Sequence, residues 1–252
     1  MLTSISTPLI ALITAMSLVP LSACVPDEVP ESFFSTPSVE ETVPPEQVPA
    51  AEYGVPLAAH EAVGDEWFED AAFIGHSLIF GLSEYSGLET DYYSLSGSSA
   101  RTIVRSSEVS LPGGKKGTLE SGLAAHSYEK IYLMIGINEV CNDLEWLKVD
   151  YLNFLELVRK YNPDADIFVL AVAPVTRTKD AGGTFTIKNI LKYNDMLREL
   201  CAEEGCWYID TYAAFADGEG FLPSSSSSDG IHLTVGAYKE MLEYVRTHTL
   251  TE

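Results

Sequence analysis

The chain has 252 residues, enough for one domain of common size plus a tail but short for two. Fifteen Lys and Arg stand against 37 Asp and Glu, a formal net charge of −22, which repels nucleic-acid phosphates and anionic membrane surfaces and excludes nucleic acid as a partner. The same charge keeps a protein soluble, and as a solvated acidic surface it says little about substrate.

Residues 8–19 form an apolar run that is short for a membrane span and leads to Leu21-Ser22-Ala23-Cys24, with Pro20 against a helix continuing through it. The segment resembles a bacterial lipoprotein signal peptide, although no Lys or Arg lies in the first seven residues. That resemblance implies removal of residues 1–23, lipid on the Cys24 thiol, and a protein held on the extracellular face of the envelope, with lipidated Cys24 as its only membrane attachment. Residues 24–60 carry seven prolines between Pro26 and Pro56 among many Glu and few large aliphatics, so they are expected to be an acidic, semi-extended tether. The folded domain is expected over 61–252.

Short apolar runs at 71–75, 131–136, 167–173 and 206–210 read as buried strands, and another strand pattern ends at Ser94. Helical patterns lie at 145–161, stopped by Asn162-Pro163, at 188–203 and at 234–247. Strands alternating with helices predict a parallel sheet covered on both faces, whose ligands bind at the carboxyl ends of the strands. Cys141, Cys201 and Cys206 have no metal-ligand spacing and imply no disulfide framework; Cys201 and Cys206 read as small buried hydrophobes at a helix end and a strand start, or as a pair.

Polar residues of catalytic type follow the predicted strands. Gly75-His76-Ser77 ends the first, putting a hydroxyl where a helix N-terminus offers backbone N–H donors. Ser94-Leu95-Ser96-Gly97 ends the next, and Gly136-Ile137-Asn138-Glu139 ends the third, with an amide able to donate to an oxyanion. Asp229-Gly230-Ile231-His232 supplies a base with a carboxylate to orient it. Each piece alone has a bland reading: turn residues for Ser77, Gly97 and Asn138, and a helix cap with its neighbour for Asp229 and His232. Four such pieces in this order are hard to assign to chance.

Over about residues 71–247 these blocks resemble the SGNH hydrolase (GDSL-like lipase/acylhydrolase) family. The resemblance implies an α/β three-layer α/β/α sandwich with a parallel, flavodoxin-like sheet, and ester hydrolysis with no metal or organic cofactor. It makes Ser77 the nucleophile, Asp229 and His232 the rest of a triad, and the Ser77 N–H, Gly97 and Asn138 the oxyanion donors. His76 stands where the family usually has Asp, and Glu139 where Asp is commoner. A residue next to the nucleophile on a turn generally points elsewhere, so His76 is expected to pack under the turn.

The expected activity is hydrolysis of short acyl esters on a small molecule or polysaccharide, O-acetyl groups on carbohydrate among them. The alternatives are a lipase acting on lipid esters and a non-catalytic surface-binding lipoprotein of the same fold; acyl transfer would use the same residues. Tyr85, Tyr92 and Tyr93 near the early strand ends read as sugar-stacking rings or as packing. Arg177 and Lys179, in a Gly-containing loop over 176–189, read as groups for an acidic substrate or as solvated surface.

Overall fold

The computed structural model describes residues 51–251. The expected signal peptide, Cys24 and the tether up to residue 50 lie outside them. In chain order the elements are β1 (Ala71–Gly75), α1 (Ser77–Tyr85), β2 (Asp91–Ser94), α2 (Ala100–Arg105), β3 (Val109–Leu111), β4 (Lys115–Gly117), α3 (Leu119–Leu123), β5 (Lys130–Met134), α4 (Leu144–Tyr161), β6 (Asp166–Leu170), α5 (Arg177–Ala181), α6 (Ile187–Glu204), β7 (Trp207–Ile209), α7 (Thr211–Phe215) and α8 (Val235–Thr247).

The strands form one sheet in the order β4-β3-β2-β1-β5-β6-β7. Five of them, β2-β1-β5-β6-β7, run parallel as expected. The sheet is not wholly parallel, because β3 and β4 form an antiparallel hairpin that pairs antiparallel to β2 at one edge. Two strands of three residues each, split by a Pro-Gly-Gly turn, are too short for an alternation pattern to reveal them.

Strand side chains alternate between faces, and each face has its own core. Ala72 and Ile74 of β1, with Ile131 and Leu133 of β5, pack under α2, α3, α4 and α6. Phe73, Tyr132 and Phe168 are in register on β1, β5 and β6, pack beneath α1 and α8, and stack in series at 4.6 Å between neighbouring rings. Such stacking across parallel strands adds roughly 0.5–1.5 kcal/mol per pair beyond burial.

Helix starts follow from polar caps. Asp143 accepts from the N–H groups of Glu145 and Trp146 at α4, and Thr186 and Thr234 cap α6 and α8. Helix α6 stops at Gly205, whose φ of 67° is left-handed, and Cys206 then turns into β7. Cys201 and Cys206 are buried and free, and Cys141 is free and exposed.

Packing begins before residue 61, the expected start of the domain. The Leu57 N–H donates to the Tyr208 carbonyl at 2.9 Å, and Pro56 bridges Tyr208 in parallel fashion. The short apolar stretch Val55-Pro56-Leu57 thus lies along β7, satisfying backbone groups that an edge strand leaves open. Among the described residues, no helix is long and apolar enough to cross a membrane.

Strand order reverses between β1 and β5, which makes the carboxyl ends of these two strands the natural ligand crevice.

Candidate active site

Gly75 ends β1 so close to β5 that a Cβ on it would lie 2.1 Å from the Met134 carbonyl oxygen, which is why the turn starts on glycine. The chain then reverses into α1, with Ser77 as the first helical residue. His76 is 1% exposed, and its Nδ1 accepts from the Leu78 N–H at 3.2 Å. The ring packs under the turn and caps the helix in the place of the family's Asp. Burial, and secondarily the nearby His232, push the His76 pKa down to about 3.

That depression gives stability a pH dependence with a definite sign. Above pH 6.5 the ring is neutral in both folded and unfolded chains; between 6.5 and about 3 the unfolded chain takes a proton that the fold refuses. Stability therefore falls on acidification through this window. In urea unfolding, the parent is expected to lose up to about 3 kcal/mol more than His76→Asn, which keeps a capping oxygen, between pH 6.5 and about pH 4. Equal losses in the two proteins would rule this account out.

The loop before α8 brings Asp229 and His232 to Ser77. Asp229 Oδ1 accepts from the N–H groups of Ile231 (2.9 Å) and His232 (2.8 Å), folding the loop into a tight turn. Gly230, at φ 92°, lets that turn pass Thr176 and Lys179, where a Cβ would come within 2.8 Å of both. The Thr176 N–H donates to the Gly230 carbonyl at 3.1 Å, so the start of the 176–189 segment borders this loop.

His232 Nδ1 lies 2.5 Å from Asp229 Oδ2, and Nε2 lies 2.8 Å from Ser77 Oγ. With Nδ1 donating to the carboxylate, Nε2 is the acceptor for the serine hydroxyl. Burial would raise the Asp229 carboxyl, but the hydrogen bonds from the His232 ring and from the Ile231 and His232 N–H groups outweigh it. They hold the carboxyl well below the usual range.

The other predicted residues stand on neighbouring loops. Gly97, at φ 74°, is exposed in the β2–α2 loop. Asn138 Nδ2 donates to the Ser98 carbonyl at 2.9 Å, which leaves its second amide hydrogen for another acceptor. The Ser77 and Gly97 N–H groups carry no backbone hydrogen bond among the described residues. Ser77, Gly97, Asn138, Asp229 and His232, spread over more than 150 residues of sequence, thus come to the carboxyl ends of β1, β2 and β5 and the loop before α8.

Sequence reasoning missed the work of Glu139. It is 2% exposed, and its Oε1 accepts from the Ala100 N–H (3.1 Å) and the Tyr193 hydroxyl (3.2 Å). It therefore ties the Asn138 loop to the start of α2, just past Gly97. Burial pushes its carboxyl up, against those two hydrogen bonds. Its position after Asn138 was visible in the sequence, but its burial was not.

Other expectations resolve as packing. Tyr93 is fully buried, with its hydroxyl 2.6 Å from that of Tyr128; Tyr92 stacks on Phe73; Tyr85 sits at the far end of α1 against Tyr238. None of the three forms a platform at the crevice, because strand alternation turns Tyr92 and Tyr93 into the two cores. Arg177 pairs with Glu219 and lies over the Phe221 ring at 4.2 Å. Among the described residues, no three His, Cys, Asp or Glu side chains converge as a metal site.

The model of the GDSL-like Lipase/Acylhydrolase family matches residues 73–240, two thirds of the chain and all of the residues above. The chain belongs to this family. GDSL-like members are SGNH hydrolases, and membership makes the protein a serine ester hydrolase. No curated protein matches it. Among solved structures it is similar to a GDSL-like lipase from Bacteroides thetaiotaomicron, at 13% identity and TM-score 0.56 over 74% of this chain and 89% of that one. It is also similar to a protein assigned as an acylhydrolase from Bacteroides fragilis (14%, 0.56, 69% and 83%) and to one assigned to the lipolytic G-D-S-L proteins from Desulfitobacterium hafniense (14%, 0.54, 71% and 98%). At these identities the likeness shows the fold.

Proposed function

We propose that this GDSL-like hydrolase cleaves short acyl esters, O-acetyl groups on carbohydrate among them, with Ser77 as nucleophile. The observation that carries the reading is the continuous hydrogen-bonded series Ser77 Oγ, His232 Nε2, His232 Nδ1 and Asp229 Oδ2. His232 takes the Ser77 proton as Oγ attacks the ester carbonyl, and the ionised Asp229 stabilises the imidazolium that forms. Negative charge then develops on the carbonyl oxygen, where the Ser77 N–H, Gly97 N–H and free Asn138 amide hydrogen can donate. Collapse expels the alcohol, which receives the proton from His232. Water, deprotonated by the same imidazole, attacks the acyl-serine and releases the acid.

The openness of the site supports an ester carried on a bulky alcohol. The His232 and Asp229 side chains are 47% and 48% exposed, so a polymer could approach without a lid moving. A second reading rests on Phe80, one helical turn beyond Ser77, and Val235, the first residue of α8 and three residues after His232, exposed by 46% and 50%. Their apolar surface would suit the longer acyl chain of a lipid ester. Activity on p-nitrophenyl esters separates the two: falling activity beyond butyrate fits the first, rising activity the second.

A fluorophosphonate probe tests the chemistry, since it phosphonylates only an activated serine. Labelling of the parent and none of Ser77→Ala is expected; equal labelling of both would overturn the assignment. Cys24 is proposed as the lipid attachment point, with residues 1–23 removed and 24–50 as tether. In intact bacterial cells the probe should then find the protein in the membrane fraction, and Cys24→Ala should shift it out.

A further inference from the structure

A cavity of about 310 Å³ lies beside the oxyanion loops, between α2, the loop after Asn138 and the first turn of α4. Its walls include Ser99, Arg101, Asn142, Asp143, Trp146 and Asp150. Ser99 is two residues beyond Gly97, and the lining Glu139 follows Asn138 directly, so the cavity is walled by the same two loops that carry the proposed oxyanion donors. Its volume is at the lower end of the roughly 300–1,000 Å³ usual for small-molecule sites.

Trp146 is 69% exposed, more than any other large apolar side chain among the described residues. Packing of α4 does not account for it. The buried stripe of that helix is Leu147, Tyr151, Phe154, Leu155 and Val158, and Trp146 stands off it. The indole therefore offers an apolar face and an N–H at the rim of a cavity whose other walls are polar apart from the buried Leu147. A flat ring beside planar carboxylate, amide and guanidinium groups suits a ligand with C–H faces and a ring of hydroxyls.

The charges narrow the class. Arg101 Nε reaches both carboxylate oxygens of Asp150, at 2.9 and 3.0 Å, so its charge is already matched. Asp143 is committed to capping α4. No unmatched cation remains among the named walls to receive an anionic ligand, and a chain of net charge −22 opposes one.

From these observations we infer that this cavity is a subsite for a neutral sugar unit, with Trp146 as its stacking platform. The inference rests on the reading that the ester is carried on carbohydrate. A glycan whose acyl group is at Ser77 would run past Gly97 and Ser99 and set its next unit against Trp146.

Calorimetric titration with unesterified xylotetraose and chitotetraose tests the subsite without needing hydrolysis. At least one neutral tetramer is expected to bind, tetragalacturonate is expected to bind more weakly, and Trp146→Ala should raise Kd about three- to tenfold at an unchanged melting temperature. Trp146→Tyr keeps an aromatic face and should restore most of the affinity. Failure of both neutral tetramers to bind, or equal affinity in Trp146→Ala, overturns the subsite while leaving the esterase chemistry standing. Conversely, tetramer binding by a protein that no fluorophosphonate labels would keep the subsite and remove the esterase.

Discussion

Ser77→Ala is expected to lower kcat for p-nitrophenyl acetate on the order of 10⁵-fold, with the melting temperature nearly unchanged. In the proposed mechanism this hydroxyl forms the acyl intermediate, and among the described residues it is the side chain that His232 Nε2 meets, 2.8 Å away. The fold should not notice the change, because residue 77 is the first in α1 and alanine is a good helix former; the capping acceptor is His76. His232→Ala should cost a similar factor, and the double variant little more, because the two act as a unit. Asp229→Asn should cost on the order of 10⁴-fold, through loss of the correct imidazole tautomer. Asn138→Ala should cost about 10²- to 10³-fold, mainly in kcat, since its amide would donate to charge that exists only in the transition state. Asp229 stays ionised well below the ordinary range of a carboxyl, so its titration does not set the acidic limb of the pH–rate profile. Steady-state kinetics on the purified variants checks the series, and retention of more than about one per cent of kcat by Ser77→Ala would falsify the assignment.

Gly136→Ala is expected to be a severely damaging single-methyl change near the site. Gly136 has φ 142°, a conformation that side chains rarely adopt, and a Cβ there would lie 2.2 Å from Tyr193 Cε1 and 2.8 Å from Val172 Cγ2. Backbone strain of roughly 1–3 kcal/mol and overpacking of roughly 1–3 kcal/mol act together. Tyr193 has little room to yield, because it is fully buried on α6 and its hydroxyl is held by Glu139. For a domain of this size, the loss corresponds to a fall in melting temperature on the order of 10 °C. Activity should drop as well: the Gly136 carbonyl accepts from the Glu139 N–H at 2.8 Å, so displacement would carry Asn138 with it. Gly113→Ala is the control, with φ 74° and nothing near its Cβ, and should cost only the strain of its backbone. Calorimetric melting of the two variants decides it; a Gly136→Ala protein as stable as Gly113→Ala would show that the β5 end can relax, and the packing argument would be wrong.

The sequence determined most of the scaffold, and the reason is locality. The run at 71–75 is wholly apolar and closed by glycine, and β1 has those limits. Asn162-Pro163 stops α4, and the 3.6-residue spacing of Leu147, Tyr151, Phe154 and Val158 sets its buried face. Asp229 and His232 were legible as a pair because three residues of chain suffice to bring an imidazole to a carboxylate. Each of these signals lies within a few turns of the backbone.

Tertiary structure decided whatever depends on which face a side chain takes and on what approaches it from far along the chain. Tyr92 and Tyr93 are adjacent aromatic residues, and only their places on β2 send them into the two cores instead of the crevice. His76 reads as an altered catalytic turn, yet burial makes it a neutral helix cap. Glu139 reads as a mild exchange for Asp, yet Ala100 and Tyr193, 39 and 54 residues away, make it the tie between two loops of the site. Trp146 carries no sequence signal, because its distinction is to be left exposed beside a polar cavity that α2 and α4 enclose only when they pack together. Local spacing specifies the elements and the Asp229–His232 pair, while long-range packing brings that pair to Ser77 and sets the burial, protonation and clamping of the residues around them.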